Sequence, residues 1–149
     1  MSLDRRTMMA GAATAALGDG QAPPAEQERY RRGMRNLDAV SGAQGRRVVE
    51  GLADIAPDLG RYIVEFAYGD IFARPGLDLK TREIATVAVL TAMGTAAPQL
   101  RVHLQAALNV GATQEEIMET ILQVIPYAGF PAALNATAIA REVFTAHRP

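Results

Sequence analysis

His103, Glu83 and Arg74 are the side chains in this sequence best suited to moving a proton or holding an anion. His103 falls in the series Leu100, His103, Leu104, Ala107, Leu108, the i, i+3, i+4, i+7, i+8 spacing of one helix face. An imidazole titrates near neutral pH and is the usual proton donor or acceptor; a core histidine satisfied by its neighbours would show the same spacing. Glu83 stands just before an almost wholly apolar run, residues 84–93. A carboxylate there either favours the helix dipole or, if desolvated, holds its proton more tightly and exchanges it near neutral pH. Arg74 lies in an Arg-Pro-Gly turn after the most aromatic stretch of the chain, with Tyr62, Phe66, Tyr68 and Phe72. A guanidinium can grip a carboxylate through two hydrogen bonds, or simply be a solvated turn residue. Tyr127 can offer a hydroxyl to the same pocket or pack at a helix end.

Composition narrows the chemistry. Among 149 residues there is no cysteine, so disulfides, thiol redox catalysis and thiolate metal sites are excluded. Two histidines cannot make a three-histidine zinc site. No phosphate-binding glycine loop, nucleophile elbow or metal signature is present. A catalyst built from what remains works by proton transfer and electrostatics, with no bound metal or cofactor. A net charge of −1 gives no reason to expect nucleic acid or an anionic surface. Lys80 is the only lysine against fourteen arginines, a bias that also suits carboxylate recognition. No uninterrupted apolar run reaches the roughly 20 residues of a membrane-spanning helix.

The elements that must carry these residues are all helical. Residues 26–41 have a thin apolar stripe of Tyr30, Met34 and Leu37, broken by Gly42 and Gly45. A short helix follows over 46–56, with Val48, Leu52 and Ile55 on one side. Pro57 opens the next, running to about Ala73, with Leu59, Ile63, Phe66, Ala67 and Phe72 facing a core. Asp78 is an N-cap and Gly94 a C-terminal cap for the apolar helix between them. An apolar run of this kind must be covered on all sides, by neighbouring helices or by a second subunit. Pro98 sits in the first turn of the His103 helix, and Gly111 ends it. Thr113-Gln-Glu-Glu116 is a capping box. Pro126 should stop or kink its helix, with 127–131 a tight connector and a last helix over 132–146. No segment alternates as a strand does. The expectation is an all-α domain over residues 26–149, with six or seven helices and a tendency to self-associate.

Residues 1–25 stand apart. Arg5-Arg6, a short apolar run and a Gly/Pro-rich spacer have the layout of a twin-arginine export signal. A cloning remnant joined to a native start reads equally well.

Several segments in order resemble the carboxymuconolactone decarboxylase family: Tyr68-Gly-Asp-Ile-Phe-Ala-Arg-Pro-Gly-Leu77, Thr81-Arg-Glu83, His103, Ala107-Leu-Asn-Val-Gly-Ala-Thr-Gln-Glu-Glu116 and Tyr127-Ala-Gly-Phe-Pro-Ala-Ala133. The resemblance covers roughly residues 28–144. It implies an alkyl hydroperoxidase-D-like helical fold assembled as a trimer or hexamer. It also implies cofactor-free decarboxylation of 4-carboxymuconolactone, or a related carboxylated lactone, in aromatic catabolism. His103 and Glu83 would then be catalytic, and Arg74, Tyr127, Tyr68 and Phe72 would bind the small carboxylated substrate. Peroxidase relatives carry a Cys-x-x-Cys pair where this chain reads Met93-Gly-Thr-Ala-Ala-Pro-Gln, so thiol peroxidase activity is not expected. Phe72 stands where the family often has tryptophan. The resemblance implies a cytoplasmic protein, whereas an export signal at 1–25 would make it periplasmic. A non-catalytic helical oligomer is the competing class, with Arg74, Glu83 and His103 as a structural network.

Overall fold

The computed structural model describes residues 24–147. The expected leader, residues 1–25, lies almost wholly outside the described residues. Within them the chain is all-helical, with α1 (Pro24–Glu50), α2 (Pro57–Tyr62) running directly into a π-helix (Ile63–Ile71), α3 (Leu79–Met93), α4 (Ala97–Asn109) and α5 (Gln114–Ala146). The count is smaller than expected because two pairs of helices are joined across kinks.

The first kink is at Gly42, whose φ of 52° and ψ of −137° leave the helical region. Gly45 resumes the helix and is buried, because a side chain there would run into Leu37 and Ser41. The second is at Gly129 (φ 82°, ψ 168°), inside the connector expected over 127–131 and three residues beyond Pro126. Proline removes a donor but keeps a helical φ; only glycine reaches the backbone angles of the break itself. The helix expected over 46–56 ends at Glu50. Ile55, assigned to its apolar side, is 80% exposed.

The caps behave as their residue types demand. The Asp78 carboxylate accepts from the Thr81 N–H at 2.7 Å, and Gly94 closes α3 at φ 67°. Thr113 and Glu116 exchange both bonds of the capping box, at 2.8 and 3.0 Å.

The π-helix changes which residues face inward. Its Phe72 N–H reaches back five residues to the Ala67 carbonyl at 2.8 Å. The wider turn buries Val64, Glu65, Tyr68 and Gly69 and leaves Phe66, expected in the core from a 3.6-residue period, exposed; Leu59, also expected there, is exposed in α2. Helix α1 holds this segment. A Cβ on Gly33 would lie 2.0 Å from the Val64 carbonyl oxygen, and one on Gly69 would lie 2.8 Å from that of Arg29, so the two backbones touch. Asn36 donates to the Tyr68 carbonyl at 2.8 Å and Arg32 to the Gly69 carbonyl at 2.7 Å. These are late carbonyls of the segment, which have no partner further along it.

Two apolar clusters result. Val87, Leu100, Leu104, Ala107, Ile117, Ile121, Ala136 and Ala140 join α3, α4 and α5. Leu37, Val40, Val64, Tyr68 and Ala106 join α1, the π-helix and α4. Helix α4 serves both. Helix α5 is long and apolar enough by length and composition to cross a bilayer. Here, however, its stripe Ile117, Ile121, Val124, Ala133, Ala136, Ala140 packs as a core element, and Gly129 interrupts it. The chain's own helices bury only Glu83, Val87 and Thr91 of α3, leaving Val89 59% and Met93 55% exposed.

Candidate active site

Glu83 is the first member of the buried α3 stripe, one turn before Val87 and two before Thr91. Its side chain is fully buried. Helical rise sets Glu83 about 15 Å below the α3–α4 turn and His103 about 9 Å below it, an offset of about 6 Å. The structure closes that offset within one chain: His103 Nδ1 lies 2.9 Å from Glu83 Oε2. A ring nitrogen hydrogen-bonded to a carboxylate is the donor, so Nδ1 carries the proton and Nε2 is left for other chemistry. The imidazole remains 22% exposed, so the pair meets solvent through His103 alone.

The other oxygen, Glu83 Oε1, is buried and has no hydrogen-bond partner. Leaving a charged acceptor unpaired costs on the order of 1–3 kcal/mol or more. Helix and core hold the carboxylate there despite that cost.

Tyr68 is near enough to feel the charge of Glu83, and Phe72 packs on Tyr68. Tyr68 is buried, with its hydroxyl 3.4 Å from Ser41 Oγ, and its ring lies 4.9 Å from that of Phe72. Burial pushes the Tyr68 phenol above its ordinary value of 10; the Ser41 hydrogen bond opposes this, and the nearby charge of Glu83 reinforces it. Tyr68 is thus a neutral hydroxyl at any physiological pH.

Arg74 is exposed and pairs with no carboxylate, but its main-chain carbonyl accepts from Arg82 Nη2 at 2.8 Å. The network expected of Arg74, Glu83 and His103 therefore reduces to the Glu83–His103 pair. Tyr127 is 83% exposed on α5, with no hydrogen bond or ring contact tying it to this cluster. Arg82, which the spacing argument passed over, lies at its edge: the guanidinium carbon is 6.0 Å from the Phe72 ring centroid. Its place immediately before Glu83 was the available signal, but helix neighbours point about 100° apart, and Arg82 lies against the Phe72 ring. A groove of about 510 Å³ opens between α3 and α5 at Lys80, Thr81, Ile84 and Glu116. Another, of about 270 Å³, is lined by Thr91, Leu100 and Asn135. Neither includes Glu83 or His103. Among the described residues, no three acidic or histidine side chains converge as metal ligands.

A fully buried glutamate holding a partly exposed histidine is an arrangement for proton transfer. The family model for the carboxymuconolactone decarboxylase family matches residues 57–142, the span that holds all of these groups. The chain belongs to that family. It is 40% identical over 120 residues to a 4-carboxymuconolactone decarboxylase of Acinetobacter baylyi, covering 80% of this chain and 89% of that protein. An uncharacterized 15.0 kDa protein of Paracoccus denitrificans, from the nqo9-nqo10 intergenic region, is 34% identical over 119 residues, covering 79% and 89%. The nitrosuccinic acid decarboxylase of Metarhizium robertsii is 34% identical over 80 residues, covering 54% and 55%.

Proposed function

We propose that this member of the carboxymuconolactone decarboxylase family is a carboxy-lyase acting on 4-carboxymuconolactone or a closely related carboxylated lactone in aromatic catabolism, without a cofactor. The observation that carries the reading is the 2.9 Å contact between His103 and the fully buried Glu83. Two relatives named for decarboxylation support it. Both names denote molecules with two carboxyl groups, of which a decarboxylase removes one.

In the reaction the bond between the ring carbon and the departing carboxylate breaks and carbon dioxide leaves. The electron pair passes into the conjugated lactone as an enolate-like anion. His103 then delivers a proton to carbon from Nε2 and is reprotonated from solvent through its exposed edge. Glu83 fixes the ring through Nδ1 and stabilises the imidazolium that donates. Tyr68 offers a neutral hydroxyl, Phe72 an apolar wall, and Arg74 a cation at the rim.

The same reading includes self-association as a trimer or hexamer. Val89, Met93, Leu122, Tyr127, Phe130 and Leu134 are large apolar side chains left half or more exposed by a single chain, or close to it. Tyr127 would contribute to substrate binding from such an assembly, since its own chain leaves it in solvent. Cytoplasmic residence fits the reaction; cleavage and export of residues 1–25 would be read directly from the mature N-terminus.

The test is carbon dioxide release from 4-carboxymuconolactone by the wild type and by His103→Ala. Turnover that falls by about 10²–10⁴-fold in the folded variant, the usual contribution of a general acid, is the expected result. No release by a folded wild-type protein would overturn the substrate assignment.

A further inference from the structure

Arg82 has an unmet hydrogen-bonding demand. Its Nε is buried and has no partner, and its Nη2 is anchored on the Arg74 carbonyl. Four arginine or lysine side chains among the described residues are half-buried: Arg29, Arg32, Lys80 and Arg82. Arg29 and Arg32 pair with Asp70, and Lys80 pairs with Glu116. Arg82 alone of the four has no carboxylate.

Its position ties it to the site. Phe72 is the shared wall, with Arg82 on it at 6.0 Å and Tyr68 against it at 4.9 Å, and Tyr68 in turn feels the charge of Glu83. The Arg82 fork is therefore held by a main-chain carbonyl on one side, laid against an aromatic ring, and paired with no carboxylate of its own chain.

The chemistry decides which carboxylate takes it. A guanidinium on the departing carboxylate would stabilise charge that must disappear as carbon dioxide forms, and so bind the ground state better than the transition state. A guanidinium on the carboxylate that stays binds both equally and fixes the orientation of the breaking bond. Buried Glu83, itself acidic, is a poor neighbour for a carboxylate that is to be kept and a suitable one for a carboxylate that is to be lost.

We infer that Arg82 is the specificity residue of this site: its guanidinium, anchored on the Arg74 carbonyl, laid against Phe72 and without a carboxylate partner, holds the retained carboxylate of a dicarboxylate substrate and leaves the other carboxylate by Glu83 and His103. The inference rests on the decarboxylase reading and extends it to substrate class. Monocarboxylates are then poor substrates even when they carry the same leaving group.

The experiment uses Arg82→Gln and Arg82→Lys in the full chain, with far-UV circular dichroism and assembly state as checks on folding. Each protein is assayed on 4-carboxymuconolactone and on its monoester at the retained carboxylate, and binding of the diacid is measured separately by calorimetry. For Arg82→Gln the expected result on the diacid is a rise in KM and Kd of about 10- to 100-fold, the worth of a hydrogen bond to a charged group, with kcat within about threefold. On the monoester the same variant should differ from wild type by less than about threefold, because the bond is already missing. Arg82→Lys should recover part of the affinity, since it keeps the charge and loses the fork. Equal losses on diacid and monoester, or an unchanged KM and Kd with decarboxylation intact, would overturn the role of Arg82 and leave the decarboxylase standing. Diacid binding that weakens in Arg82→Gln while the wild type releases no carbon dioxide would overturn the decarboxylase and keep Arg82 as the anion anchor. A wild type that neither binds nor converts the diacid overturns both.

Discussion

Replacing His103 by alanine and Glu83 by glutamine, singly and together, measures how strongly the two side chains depend on each other. In His103→Ala the Glu83 carboxylate loses the 2.9 Å donor on Oε2 while Oε1 already has none, so a fully buried carboxylate is left without any hydrogen bond. A hydrogen bond to a charged group contributes about 1.5–3 kcal/mol, and the abandoned acceptor adds its own desolvation cost, so the variant should be destabilised by about 3 kcal/mol. Glu83→Gln keeps the shape and removes the charge, but places an amide N–H₂ where no acceptor waits, at about 1–3 kcal/mol. In the glutamine background, removing His103 no longer strands a carboxylate. The double variant should therefore be more stable than the sum of the single losses by about 1.5–3 kcal/mol. Urea unfolding at pH 7, followed by circular dichroism at one protein concentration, gives the four free energies. Single losses that add to within about 0.5 kcal/mol would refute the reasoning, because groups without mutual dependence add to that accuracy. A loss near 3 kcal/mol still leaves a domain of ordinary stability, about 5–15 kcal/mol, folded. The activity of His103→Ala is therefore read on native protein.

Two further outcomes follow from the way α1 holds the π-helix and from the burial of Tyr68. In Gly33→Ala the added methyl meets the Val64 carbonyl oxygen at 2.0 Å, backbone against backbone, so α1 must shift; a loss of at least about 1–3 kcal/mol in urea unfolding is expected, and an unchanged midpoint would contradict the close contact. The Tyr68 phenol is held above 10 by burial and by Glu83, so its contribution to stability is complete below pH 10 and is lost as pH rises through the folded value. Unfolding midpoints measured from pH 8 to 11 should fall above about pH 10 in the wild type and fall less in Tyr68→Phe; parallel curves would remove Tyr68 as the cause.

Local rules made much of this molecule legible in advance. The N-cap at Asp78, the left-handed glycine at 94, the capping box at Thr113 and the break at Gly42 each depend on a few neighbouring residues, and each stands where the residue types put it. The apolar face of α4 was equally plain, and with it the inward setting of His103. Longer-range features were not. A 3.6-residue period misplaced Phe66, because the π-helix depends on α1: Gly33 lies against its backbone, and Asn36 and Arg32 take up its carbonyls. The connector expected over 127–131 shrinks to a single kink at Gly129, with Pro126 and Pro131 kept inside the helix, since proline loses a donor but keeps a helical φ while the turn itself needs a positive φ.

The sequence by itself determined an all-helical chain, its caps, the absence of thiol chemistry and the candidacy of Glu83 and His103. Only the tertiary structure decided that these two meet within one chain, that Arg74 and Tyr127 are left exposed by that chain, and that Arg82 lies against Phe72 with no carboxylate partner. The physical reason is one of range. Capping and periodicity are settled by atoms a few residues apart, whereas the meeting of side chains twenty residues apart depends on how two helices are packed, which the rest of the core decides.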